Sequence, residues 1–280
     1  MKTGILAIVV TYYPNKDLLI NNINSFIDNV DKIIIWENTP LQEKEQYRFI
    51  DYPKIEYYGD SVNSISRALN FAWHYAQNND YKFLLTMDQD SIWENFGYFI
   101  KHVNEMYNTD DTIYVPQIVP GKILVESFCK TEWAITSGML IPISALNRLG
   151  GYNESFIIDG IDMDICFRAK EMGIDILMLK NGVLKQKYGN PTSKKMLFRK
   201  FSCSNYSPNR LQEIYSSHIY FLRFYKISIR GRYDLLKKCF AIIPIKVLFY
   251  EKNKQRKIFA IIKGIYNGFI NYSAPTKSYE

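Results

Sequence analysis

Near its start the chain carries Ile5-Leu6-Ala7-Ile8-Val9-Val10-Thr11-Tyr12, an almost unbroken apolar run rich in β-branched side chains. A run without polar alternation predicts a strand covered on both faces, as in the middle of a parallel sheet. Pro14 ends it. Leu18, Leu19, Ile23, Phe26, Ile27 and Val30 then recur at three- and four-residue spacing, which predicts a helix. Lys32-Ile33-Ile34-Ile35-Trp36 restores the strand pattern and closes at Glu37-Asn38-Thr39-Pro40. Strand, helix and strand in this order make a βαβ unit with a right-handed crossover.

The alternation continues. Strands are predicted at 54–58, 82–87, 112–115 and 174–179, and further ones around 123–128 and 133–141. Helices are predicted at 64–77, 96–107, 144–149 and 162–172, the last closed by Gly173 as a C-cap. Beyond about Met196 the pattern becomes helical and basic. The 280 residues suffice for one large α/β domain with appendages. We expect a mostly parallel central sheet flanked by helices over residues 1–222, and a basic, amphipathic helical extension over 223–280.

Charge supports that division. The net charge is +7, yet residues 223–263 hold twelve Lys/Arg against two acidic residues, a local net of +10. The remainder is mildly acidic, which disfavours a nucleic-acid partner for the first part. The basic segment, with its densest run at Lys252, Lys254, Arg256 and Lys257, is interleaved with Phe, Ile, Leu and Tyr. Such a mixture suits the inner surface of an anionic membrane, and its apolar side chains equally suit a homodimer interface. The four cysteines show no CxxC pair, which argues against a zinc ribbon or a redox motif and for a reduced, cytoplasmic setting. The sequence shows neither a signal-peptide cleavage site nor an apolar run long enough to span a bilayer.

Two acidic groups carry the chemistry. Asp88-Gln89-Asp90 follows the apolar strand Phe83-Leu84-Leu85-Thr86-Met87. Ligands of α/β sheets bind beyond the carboxyl ends of the strands. A pair of carboxylates there suits Mg²⁺ or Mn²⁺, which takes one or two protein carboxylates and completes its shell with water and phosphate. Asp159, Asp162 and Asp164 lie where a helix begins. One of them is accounted for by N-capping, and another is placed to act as a general base.

An ordered set of motifs over roughly residues 5–225 resembles the inverting family 2 glycosyltransferases of the GT-A (Rossmann-like) fold, and within them the bacterial rhamnosyltransferase-like group. These are Val9-Val10-Thr11-Tyr12-Tyr13-Pro14, Trp36-Glu37-Asn38-Thr39, Asn63-Ser64-Ile65-Ser66-Arg67-Ala68-Leu69-Asn70, Met87-Asp88-Gln89-Asp90-Ser91, Thr136-Ser137-Gly138 and the stretch from Gly150 to Arg168. The resemblance implies transfer of a sugar from a dTDP- or UDP-linked donor, with a divalent metal as cofactor. The acceptor expected is a glycan hydroxyl in surface-polysaccharide synthesis, and the basic, aromatic C-terminal segment motivates a lipid carrier for it. It implies Asp90 and Asp88 as metal ligands and Asp162 as the catalytic base. Thr11, Tyr13, Glu37, Asn38, Asn63, Arg67, Asp88 and Gln89 would line the nucleotide-sugar site, with Ser137, Gly138 and Asp159 on the acceptor side.

The sequence departs from that pattern. Ser64 stands where the family has Gly, and Glu37 is one methylene longer than the usual Asp. Gln186 occupies the position of a late metal-ligating His, which would leave Lys185 or Lys187 to neutralise part of the diphosphate. Arg168 is expected to pair with Asp164 inside the helix, while His74, His102 and His218 read as structural. The alternative from another class is an inactive glycan- or membrane-binding module that kept the fold, and Gln186 is the departure that favours it.

Overall fold

The computed structural model describes residues 4–40, 43, 48, 50–106, 111–121, 127–186 and 205–270, and the backbone alone of 192–196 and 199–203. Contacts group the chain into two units. The first holds 1–157 with 161–187, and the second holds 158–160 with 188–280. The expected boundary at 222/223 falls inside the second unit, because the helix that ends at Phe224 packs along the last described helix, 254–270.

In the first unit, nine strands among the described residues form one sheet. They are β1 (Ile5–Thr11), β2 (Lys32–Glu37), β3 (Ile55–Tyr58), β4 (Phe83–Asp88), β5 (Ile92–Trp93), β6 (Thr112–Val119), β7 (Phe128–Lys130), β8 (Met139–Pro142) and β9 (Asp175–Lys185). The order is β3-β2-β1-β4-β8-β6-β9-β5, with β7 also paired to β9. β3, β2, β1 and β4 run parallel, as do β6 and β9, while β8 lies antiparallel between β4 and β6. The carboxyl ends of β1, β2, β4, β6 and β9 therefore share one edge, where β8 begins.

The first strand is buried on both faces, as its composition requires. Ile5, Ala7 and Val9 join Leu19 and Ile23 of α1 (Lys16–Asn24) and Phe96, Phe99 and Val103 of α3 (Phe96–Met106) in one core. Leu6 and Ile8 point the other way and are fully buried, on the face where α2 (Ile65–Asn78) crosses β1 and β4 with Ala68, Leu69, Ala72 and Ala76 buried. Each of the larger side chains among these (Val, Leu, Ile and Phe) contributes about 1.5–3 kcal/mol through burial. Two short helices, α4 (Ile143–Leu149) and α5 (Ile161–Glu171), complete the unit.

Three strands differ from expectation for local reasons. β6 runs on through Pro116, because a register shift at Pro116/Gln117 absorbs the missing donor. β9 continues past Leu179 to Lys185, although Lys180-Asn181-Gly182 breaks the apolar run that marked it. β8 begins only at Met139, because Thr136, Ser137 and Gly138 bond outside the ladder. The expected strand at 123–128 lies mostly outside the described residues.

The second unit opens with a hairpin of β10 (Thr192–Met196) and β11 (Arg199–Cys203). This part was expected to be turning helical, and the charges on Lys194, Lys195, Arg199 and Lys200 hide any alternation. Next comes α6 (Pro208–Phe224), capped by Ser207, whose Oγ accepts from the Arg210 N–H at 3.2 Å. Then α7 (Ile229–Lys237), a π-helical turn (Lys238–Ile242) and α8 (Ile243–Tyr250) follow one another without a break. Last is α9 (Lys254–Ile270). α6 and α9 lie side by side in the same direction. Gly264 faces Gln212 and Tyr215, and Gly268 faces Ser216 and Ile219. Arg223 at the end of α6 donates to the carbonyls of Gly268 and Phe269, both at 2.7 Å.

Candidate functional site

The sheet edge gathers most of the residues singled out in the sequence. Thr11 ends β1 opposite Glu37 of β2, and Val10 pairs with Asp88 of β4. Thr11 Oγ1 donates to the Trp36 carbonyl at 3.2 Å, and the Asn38 N–H donates to the Thr11 carbonyl at 2.8 Å. Trp36 Nε1 holds Asn38 Oδ1 at 3.0 Å. Tyr13 adopts a left-handed backbone, with φ of 45°, and its N–H donates to Thr39 Oγ1 at 2.9 Å. This turn displays the Tyr12 and Tyr13 rings at the surface in edge contact.

The exits of β1 and β4 are joined by one side chain. Gln89 Oε1 accepts from the Tyr12 N–H at 2.8 Å, and Gln89 Nε2 donates to the Tyr12 carbonyl at 3.2 Å. The carbonyl end of the same turn is held from beneath by Asn22, a fully buried polar residue of α1. Its Nδ2 donates to the Asp88 carbonyl at 2.8 Å and also to the Ser91 carbonyl. Asn22 lay inside a helical pattern and had no motif to mark it. Its burial is visible only once α1 is laid against the turn.

Ser137 supports Asp88 from the other side. Its Oγ accepts from the Asp88 N–H at 3.1 Å and shares a hydrogen bond with Ser91 Oγ at 2.8 Å. The preceding residue serves Asp162: the Thr136 N–H donates to Asp162 Oδ1 at 2.8 Å, in the first turn of α5. Adjacent residues thus hold the Asp88–Ser91 turn and the Asp162 carboxylate. Gly138, with φ of 80°, sits where a Cβ would lie 2.8 Å from Pro116 and 2.9 Å from Leu184, so the turn needs glycine.

Gln186 follows β9 directly and reaches Asp88 across 98 residues of sequence, its Nε2 donating to Oδ2 at 2.7 Å. Its Oε1 is buried without a partner. That orphaned amide oxygen, next to the Asp88 carboxylate, is a hard oxygen donor of the kind a divalent cation takes. Asp90 stands exposed at the mouth of the edge. Partial desolvation by the surrounding chain raises its carboxyl above the usual range, opposed by its own backbone N–H. Among the described residues no group of three His, Cys, Asp or Glu is arranged to hold a metal. Two carboxylates and an amide oxygen are nonetheless an all-oxygen set, which fits Mg²⁺ or Mn²⁺ completed by phosphate and water.

Other expected residues are placed elsewhere or already engaged. Glu37 is 2% exposed, and its carboxylate is gripped by Arg48, at 2.9 Å from one guanidinium nitrogen and 3.2 Å from Nε. Nothing in the loop sequence marked Arg48. Arg67 pairs with Asp60 at 2.7 Å, and Asn63 is half-buried just before the cap of α2. Ser64 supplies that cap, its Oγ accepting from the Arg67 N–H at 3.4 Å, a bond that a Gly at this position could not make. Lys185 pairs with Glu94 at 2.7 Å, so its charge is already shared, and Lys187 lies outside the described residues. Arg168 pairs with Asp164 as expected and donates to the carbonyls of Leu149 and Gly151. His74 stacks on Trp73, and His102 contacts the Tyr98 carbonyl.

Asp159 groups with the second unit. It accepts from Arg210 at 3.1 and 3.3 Å, and desolvation raises its carboxyl pKa. Burial beside Asp159 lifts Glu213 to about 7. His218, buried on α6 near Lys238, is pushed down to about 3 by desolvation.

No family model matches the sequence, and no curated protein matches it either. Solved structures do resemble it. One is GalNAc-T7 with UDP, GalNAc and Mn²⁺, at a TM-score of 0.60 and 11% identity, over 95% of this chain and 55% of that one. The chain thus spans about half the length of that relative. Another is the mannosyltransferase PcManGT from Pyrobaculum calidifontis in complex with GDP-Man and Mn²⁺, at a TM-score of 0.56 and 13% identity, over 96% of this chain and 88% of that one. The fold is that of the GT-A glycosyltransferases.

Proposed function

We propose that the chain is an inverting, metal-dependent glycosyltransferase of the family 2 type, using a dTDP- or UDP-linked sugar. Rhamnose and a lipid-linked glycan acceptor, in polysaccharide synthesis, are its suggested substrates. The observation that carries this reading is the Thr136-Ser137 pair. It fixes a carboxylate fit for general-base work beside a turn whose carboxylates suit a metal–diphosphate. The neighbouring structures, which are complexes with UDP or GDP-Man and Mn²⁺, support the same class.

In the proposed reaction the acceptor oxygen attacks the anomeric carbon as the bond to the nucleoside diphosphate breaks. Asp162 takes the acceptor proton, its Oδ1 held by the Thr136 N–H so that one oxygen stays directed. Tyr12 and Tyr13 offer exposed aromatic faces for the base. Asp90, Asp88 and the Gln186 amide oxygen would hold a divalent cation, which would supply charge neutralisation for the departing diphosphate.

The test is calorimetric titration of UDP, dTDP and GDP with and without Mn²⁺, on the wild type and on Asp90→Ala. Mn²⁺-dependent binding of one nucleotide, weakened about tenfold or more in the variant, is expected. Absence of binding to all three under every condition removes the reading and leaves the inactive module in its place.

A further inference from the structure

Among the described residues, α7, α8 and α9 each carry apolar residues that are buried and others that are exposed. In α9, Ala260, Ile261, Gly264 and Gly268 are buried on the side that meets α6. Phe259, Ile262, Tyr266, Phe269 and Ile270 recur at helical spacing on the opposite side and are exposed. In α8, Val247 is buried while Ile245, Leu248 and Phe249 are exposed. In α7, Leu235 is buried while Ile229, Tyr233 and Leu236 are exposed, Ile229 at 91%. Single exposed apolar residues are ordinary. Stripes repeated over three successive helices mark an interaction surface.

Charge identifies the partner. Lys226, Arg230, Lys252, Lys254, Arg256 and Lys263 are exposed and make no ion pair among the described residues. Lys257, expected to belong to this set, is instead buried against Glu251 at 2.6 Å and is not part of the surface. A second copy of the chain would bring two strongly basic segments together, which costs electrostatic energy. An anionic surface with an apolar interior meets both halves of the pattern: acyl chains take the stripes and headgroups take the lysines and arginines. Among the described residues no helix is long and apolar enough to cross a membrane, so contact would be with one leaflet.

We propose that the exposed apolar stripes of α7, α8 and α9, with their basic flanks, form a docking surface for an anionic lipid bilayer. This does not depend on the transferase reading, since no residue of the sheet edge takes part.

The experiment is flotation of the full chain with vesicles of phosphatidylcholine alone, and of phosphatidylcholine mixed equally with phosphatidylglycerol, at low and high salt. Wild-type protein should float with the mixed vesicles, less so at high salt, and little with phosphatidylcholine. Two variants follow. Phe249→Ser with Phe259→Ser and Ile262→Ser removes apolar contact, and Lys252→Gln with Lys254→Gln, Arg256→Gln and Lys263→Gln removes charge. Each should lower the partition coefficient by about tenfold or more, with circular dichroism unchanged. Wild-type protein that stays with neither vesicle overturns the proposal whatever the variants do. So does a concentration-dependent dimer, abolished by the apolar variant, in protein that ignores both vesicles. Flotation that persists without nucleotide binding would sink the transferase reading and leave the lipid surface standing.

Discussion

At the scale of single residues, Asp162 and the Asp88–Asp90 pair are predicted to be separable. Asp162→Asn keeps the Thr136 N–H bond available to its side-chain oxygen and removes only the proton-accepting charge. Turnover of a transferable donor and acceptor should fall about 10²- to 10⁴-fold, while the Mn²⁺-dependent nucleotide affinity measured by calorimetry stays within about twofold of wild type. Equal losses in both would show that Asp162 shapes the donor site instead. The sequence made Asp88, Asp90 and Asp162 conspicuous because carboxylates at strand exits and helix starts have chemical reasons to be there. It left Asn22 and Arg48 silent. A buried amide in a helix and an arginine in an irregular loop acquire their roles only through the elements that reach them. Gln186 was legible only by resemblance, and the structure adds its hydrogen bond to Asp88.

At the scale of elements, the parallel strands could be read because burial on both faces writes them as continuous apolar runs. Where a strand carries a proline, a glycine or a basic pair, that signal fails, as in β6, β9 and the β10–β11 hairpin. The seam between α6 and α9 is a further case. Gly264 and Gly268 look like weak points in a helix, yet they are what allows the backbones to approach. A Cβ on Gly264 would lie 2.5 Å from the Gln212 carbonyl oxygen and 2.8 Å from the Tyr215 Cβ. Gly264→Val should therefore destabilise the chain by about 1–3 kcal/mol, seen as a lower urea midpoint. Gain of stability through better helix propensity would mean that α9 does not rest on α6 in solution.

At the scale of the whole molecule, the second unit should respond to pH in two opposed ways. Glu213 has its carboxyl raised from the ordinary 4.5 to about 7 by burial and by Asp159. Between those values the folded state binds more protons than the unfolded one, so its contribution to stability falls as pH rises. His218 is lowered from the ordinary 6.5 to about 3. Between those values the unfolded state binds more protons, so its contribution rises with pH. Glu213→Gln removes the first slope alone. Its melting temperature relative to wild type should climb from pH 4.5 to about 7 and then level off. A difference that does not change with pH would show that this carboxyl titrates normally.

The Asp-x-Asp pattern is usually written with an indifferent middle letter. Here that letter is Gln89, and its amide grips the Tyr12 backbone on both sides, receiving one bond from its N–H and giving one to its carbonyl. The middle position is thus grammar rather than spacing. It ties the clause that ends the first strand to the clause that ends the fourth, and a pattern that leaves it blank discards the word that joins them.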